Sequence, residues 1–227
     1  MADKIKDEGG EPYPSSSAFA TLLEDGDLDV VVRDLFVSGI PWYFRNADPH
    51  FEEFCDHFGS RLGIETDRLC VVGSARVGFA VSPDSFPRPF HPRSDLDVAI
   101  VSEELFDAAW LALVKWGHPR RFTLPAGEAE WMKDRQKEIF WGWLRPDVLQ
   151  FKGLRFPQDL RPLRDVRARW FETFQSVGVS FPGTDLARRE VTGRLYRSWD
   201  HLIRYQAEGL RRLRYELRRR RRAREDT

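Results

Sequence analysis

The stretch "SDLDVAIVS", Ser94 to Ser102, constrains this chain more than any other. Two aspartates one residue apart run straight into an unbroken apolar segment. Asp is a poor strand former, so local preference does not select this arrangement. Strand alternation would also send Asp95 and Asp97 to one face, where two carboxylates repel. A fold that keeps them therefore needs the strand to begin at a rim where something offsets the repulsion. Divalent cations do so: magnesium prefers hard oxygen ligands, keeps several waters, and suits two or three carboxylates plus substrate phosphates.

The rest of the chain supplies a frame for that strand. "RLCVVGS" reads as a short buried strand ending in a Gly-Ser turn. Between them, residues 75 to 93 hold four prolines and little periodicity, which predicts a long ordered loop. A first helix is expected in "LEDGDLDVVVRDLFVSGI", with its apolar stripe at Leu28, Val31, Val32 and Leu35. A second is expected in "ADPHFEEFCDHFGSRLG", capped by Asp48, with Pro49 in its first turn and Phe51, Phe54 and Phe58 on one face. A third follows Ser102 as cap, a fourth runs to about Phe140, and another follows Pro162. "DVLQF", Asp147 to Phe151, is a candidate third strand, and one long helix is expected from Thr184 or Asp185 towards Arg224. The fold class is α+β: a small mixed sheet flanked by helices, with a carboxy-terminal helical extension.

A Gly-Ser turn complements a pair of acids. Gly73 lets the backbone approach a phosphate, and Ser74 offers a hydroxyl and an N–H where the chain leaves the strand. Arg76 or Arg93 could add a bidentate phosphate contact. Gly73-Ser74, "SDLDV" with Asp95 and Asp97, and Asp147 together resemble the nucleotidyltransferase superfamily that includes DNA polymerase beta, the kanamycin and minimal nucleotidyltransferases and the bacterial cyclic-oligonucleotide synthases. The likeness covers roughly Leu69 to Phe151. The whole chain, with "GSARVGFAVSP", "WGWLRPD" and "GRLYRSWDHL", is similar to a group of small bacterial proteins of that superfamily, a resemblance that leaves the substrate open and admits a cyclic-nucleotide synthase or a toxin-like transferase of a defence system.

That resemblance implies Mg²⁺- or Mn²⁺-dependent transfer of a nucleoside monophosphate from an NTP to a hydroxyl of RNA, protein or another nucleotide. It places Asp95, Asp97 and Asp147 as metal ligands and Gly73 and Ser74 at the β and γ phosphates. The alternative is a module of the same fold that binds nucleotide or nucleic acid without turnover. Ser74 and Asp95 stand 21 residues apart, a longer interval than compact members show, so an insertion covers the expected nucleotide pocket. The expected division is a flexible polar tail over 1–24, a nucleotidyltransferase-like domain over 25–156 and a helical region over 157–227. The eight tryptophans are expected mostly in core packing, and His91 in "FHPR" reads as a loop histidine.

Charge is zero overall and uneven in place. From Arg188 to Thr227 there are 14 arginines, no lysine and six acids, a net of +8 that leaves −8 on the preceding residues. Nine arginines from Arg211 to Arg224, against Glu216 alone, suit salt-dependent contact with the phosphates of RNA or another polynucleotide. The other partner this arm admits is an acidic protein surface, including the chain's own body in a homodimer. Two cysteines in apolar contexts predict buried free thiols in a reducing cytoplasm. No apolar run approaches the roughly eighteen residues that cross a bilayer. The amino terminus lacks the apolar core of a secretory signal, so no membrane partner is expected.

Overall fold

A computed structural model describes residues 13–46, 48–149 and 160–225. Its strands are β1 (Leu69–Val72), β2 (Leu96–Val101), β3 (Trp143–Leu144) and β4 (Val191–Tyr196). They form one mixed four-stranded sheet in the order β1-β2-β4-β3. β3 and β4 are antiparallel, with Trp143 opposite Tyr196 and Leu144 opposite Leu195. The helices are α1 (Ser16–Asp25), α2 (Leu28–Val32), α3 (Asp48–Leu62), α4 (Ser74–Val77), α5 (Glu103–Gly117), α6 (Ala126–Phe140), α7 (Arg161–Gln175), α8 (Val177–Ser180) and α9 (Trp199–Glu225). The α+β class expected from the sequence is what forms.

The chain divides into two compact units, neither of them continuous: 1–53 with 70–98 and 203–227, and 54–69 with 99–202. In the first, the expected apolar stripe of Leu28, Val31, Val32 and Leu35 is buried, and a π-helical turn over Arg33–Val37 carries α2 onward. Part of the predicted polar tail proves to be structure. Ser15 caps α1 by accepting from the Ala18 N–H at 3.2 Å, and the helix buries Phe19 and Leu23. The serines that gave this stretch its polar look are a helix N-terminus and its cap. The capping role expected of Asp48, and the place of Pro49, lie outside the described side chains.

In the second unit, Ser102 caps α5 as expected, accepting from the Leu105 N–H at 3.2 Å. Two expectations give way. The third strand is Trp143–Leu144, and Asp147 falls in a 3₁₀ turn, Pro146–Val148, because the proline that precedes it carries no N–H for a ladder. Gln150 and Phe151, the end of the expected strand, lie outside the described residues. The long helix begins at Trp199 rather than near Asp185, and β4 occupies part of the interval. Gly193 marks why: a Cβ there would come within 2.3 Å of Phe174 Cζ, so the β4 backbone lies directly on that ring. Phe174 in turn stacks on Trp170 of α7 at 4.7 Å.

Candidate functional site

The Gly-Ser turn and the two acids belong to the first unit. All four residues of β1 are buried, and the strand ends at Gly73 with φ +67° and ψ −147°. Only glycine adopts that backbone cheaply. A second constraint acts at the same atom: a Cβ on Gly73 would lie 3.1 Å from Asp97 Oδ2. The bend and the second acid, 24 positions apart in the sequence, are thus in direct apposition. Ser74 follows as the first residue of α4 and is half-buried.

Asp97 is the second residue of β2, exposed between buried Leu96 and Val98. Beyond it the strand is buried at every position through Val101. Asp97 is therefore the place where this strand meets solvent. Asp95 precedes β2 by one residue and is also exposed, so the strand starts one position later than "DLDVAIV" suggested. A turn delivers it there: the Ser94 N–H donates to the His91 carbonyl at 2.8 Å, and the His91 N–H donates to Ser94 Oγ at 3.2 Å. Arg93 lies exposed in that turn, its backbone N–H donating to His91 Nδ1 at 3.0 Å. His91 is a loop histidine, as expected.

The insertion between turn and acids is packed. Its stem closes by the Ala80 N–H donating to the Arg88 carbonyl and the Phe90 N–H to the Gly78 carbonyl, both at 2.8 Å. Phe79 and Phe86 are buried, with ring centroids 5.4 and 6.4 Å from Phe19 of α1. Phe90 meets Trp42 and Tyr43 at 5.7 and 5.8 Å. Gly78, at φ +90°, lies so close to the Trp42 indole that a Cβ would stand 2.7 Å from Nε1. Sequence reasoning passed over "PWYF", Pro41 to Phe44, whose aromatics hold the insertion; the cluster of three rings was the available signal.

Two expected ligands are engaged elsewhere. Arg76 is buried, and its guanidinium donates to the backbone carbonyls of Leu35, Ser38 and Gly39, the last at 2.6 Å. Burial pulls its pKa down, yet the three carbonyls keep its donors satisfied. It ties α4 to the segment after α2, with each guanidinium nitrogen committed to a backbone carbonyl. Asp147, in the second unit, accepts from Arg145 Nη2 at 2.7 Å through Oδ2, while its Oδ1 is buried without a hydrogen-bond partner among the described residues. Glu138, a spare carboxylate of α6, is buried and held by Arg135 Nη2 at 2.7 Å. Among the described residues, no three His, Cys, Asp or Glu side chains gather into a metal-binding group. The second unit also holds a cavity of about 730 Å³ lined by Phe106, Trp110, Leu113, Met132, Ile139 and His201 among others; none of the predicted site residues borders it.

Both cysteines are buried, and neither is in a disulfide. Trp116 is buried as core, whereas Trp141 is exposed. Among the described residues no helix is long and apolar enough to cross a membrane. Compared with protein-family models, curated proteins and solved structures, the chain has no match in any of the three.

Proposed function

We propose that this protein is a nucleotidyltransferase that moves a nucleoside monophosphate from an NTP to a hydroxyl acceptor and releases pyrophosphate. One observation carries the reading: the Asp97 carboxylate stands over the Gly73 bend, its Oδ2 only 3.1 Å from where a Cβ at position 73 would lie. The donor set fits a hard divalent cation, being carboxylate oxygens at an exposed strand start beside backbone left open by glycine. Asp95 and Asp97 would hold Mg²⁺ or Mn²⁺, and a bound ion supplies positive charge against the triphosphate and the departing pyrophosphate. Gly73 admits the phosphates to the backbone, and the Ser74 hydroxyl and N–H donate to their oxygens. Arg93, exposed beside Asp95, is the cation that remains for the triphosphate once Arg76 is spent on structure. In the transfer itself the acceptor hydroxyl gives up its proton to water, its oxygen bonds to the α-phosphorus, and the bond to the β-phosphate oxygen breaks so that pyrophosphate leaves.

A second reading is a nucleotide-binding module without turnover. What favours it is the state of Asp147, paired with Arg145, and the want of a three-acid cluster among the described residues. One experiment separates the two: each α-labelled NTP with Mg²⁺ or Mn²⁺, with and without total RNA, beside the Asp95→Ala/Asp97→Ala protein. Label transfer or pyrophosphate release that the double variant loses supports the enzyme. NTP binding with no turnover in any condition supports the module, and neither binding nor turnover removes both.

A further inference from the structure

The arginines of α9 separate into two sets, and only one of them is used by the fold. Arg214 donates to the Gly26 carbonyl, Arg218 to the Glu24 carbonyl at 2.8 Å, and Arg221 to Glu24 Oε2 at 3.3 Å. These close the carboxy-terminal end of α1, where exposed carbonyls favour cations. At about 100° per residue, these three share the helix arc of buried Ile203, Ala207 and Leu210. Arg220 flanks that arc and reaches the Pro83 carbonyl at 2.9 Å.

The remaining set faces away. Arg204, Arg211, Arg212, Arg219 and Arg222 are all exposed and fall within roughly a 100° arc of the same helix. From Arg204 to Arg222 the stripe runs about 27 Å along the axis at 1.5 Å per residue. Its centre holds an aromatic ring: Tyr215 is 72% exposed. A large exposed ring amid guanidinium groups is unusual for a merely solvated helix face, which needs charge but gains nothing from a bare tyrosine. The one acid of the arc, Glu208, is contacted by Arg211 and by Arg212, the latter at 3.5 Å. Glu216, which accepts from Arg219 and Arg220, projects from outside the arc.

We infer that this stripe is a binding surface for single-stranded polynucleotide, with the five arginines on successive phosphates and an unpaired base stacked on Tyr215. Guanidinium suits phosphate through its planar pair of donors, and base-on-aromatic stacking requires a strand whose bases are free. The surface does not depend on Asp95 and Asp97, so its test is run without NTP and with EDTA, where transfer chemistry cannot contribute.

The experiment is fluorescence anisotropy of the whole chain with labelled A20, U20 and a 20-base-pair RNA duplex from 50 to 200 mM salt. Replacing Arg211, Arg212, Arg219 and Arg222 with Gln should flatten the slope of log affinity against log salt by about 2.8, at about 0.7 per phosphate contact of a single strand. Tyr215→Ala should weaken A20 binding by about five- to 150-fold with the slope unchanged. Glu208→Gln should tighten it. Arg214→Gln/Arg218→Gln is the control for folding: it should lower the melting temperature and leave the slope alone. Failure to bind either oligonucleotide at 50 mM salt overturns the inference, as does a slope indifferent to the four outward substitutions. Duplex bound as tightly as A20, with Tyr215→Ala silent, overturns the single-stranded assignment.

Discussion

Gly73→Ala tests the geometry on which the candidate site depends. Two costs act at that position. A side chain held at φ +67°, ψ −147° is strained whatever surrounds it, by about 1–3 kcal/mol. The new Cβ would also meet Asp97 Oδ2 at 3.1 Å, tighter than ordinary van der Waals contact, so the carboxylate must shift by a few tenths of an ångström. For a chain of this size 1 kcal/mol moves the melting temperature by about 2–4 °C, so the backbone cost alone should lower it by about 2–12 °C. The displaced carboxylate should reduce transfer severalfold, since a full ångström of misplacement costs about a hundredfold. Thermal melting and pyrophosphate release read the two effects separately. A double-mutant cycle with Asp97→Ala isolates the contact: removing the carboxylate relieves the steric part and leaves the backbone part, so Gly73→Ala should cost less in the Asp97→Ala background. A Gly73→Ala protein that melts within about 1 °C of the parent would show that the bend is neither strained nor pressed against Asp97, and the site as argued would be lost.

Two further outcomes follow from groups the site does not use. Arg76→Leu should destabilise the protein by about 1–3 kcal/mol for each backbone carbonyl it strands, measured by urea unfolding, and leave nucleotide affinity unchanged; an affinity loss without a stability loss would return Arg76 to the triphosphate. His57, in the second unit, is buried with Nε2 at 3.0 Å from the Thr173 carbonyl; burial holds its imidazole below the ordinary 6.5, opposed by that carbonyl and aided by Arg61. The unfolded chain then takes up a proton that the folded chain resists, so stability is complete above pH 6.5 and declines as pH falls below it, by at most about 1.4 kcal/mol per pH unit. His57→Gln should remove that decline from the unfolding curves, and a persistent decline would assign it to other groups.

How legible the fold was depended on whether an element announces itself locally. β1 and β2 did, because short apolar runs between turn residues have few other uses, and α5 did through the Ser102 cap. β4 did not. Its residues lie between arginine-rich flanks that suit a helix, and what makes them a strand is Gly193 pressed on Phe174, a contact with a residue 19 positions earlier. A close approach of that kind overrides propensity and has no local trace beyond the glycine. α1 was missed for the opposite reason: its serines are polar, and only the burial of Phe19 and Leu23 shows that the helix is anchored. β3 was placed a few residues late because an apolar "VLQF" reads as strand, while the proline before it turns the chain.

At the site, the pair of acids and the glycine were legible because each is costly unless partnered: two carboxylates repel, and a positive φ excludes other residues. Cations are different. A sequence shows that an arginine is charged but not whether its donors are already committed, and the guanidinium of Arg76 resembles that of Arg93 until burial distinguishes them. A buried guanidinium must satisfy its N–H groups within the protein, because leaving them dry costs more than a hydrogen bond returns. Arg76 does so on three carbonyls, whereas half-buried Arg214 and exposed Arg218 each place one donor on a carbonyl at the end of α1. Helical phase divides α9: arginines on the arc of Ile203, Ala207 and Leu210 bond the end of α1, and those on the far arc face solvent. Counting arginines in this arm therefore overstates its capacity for ligand, and the helical phase relative to the buried leucines decides which of them can bind.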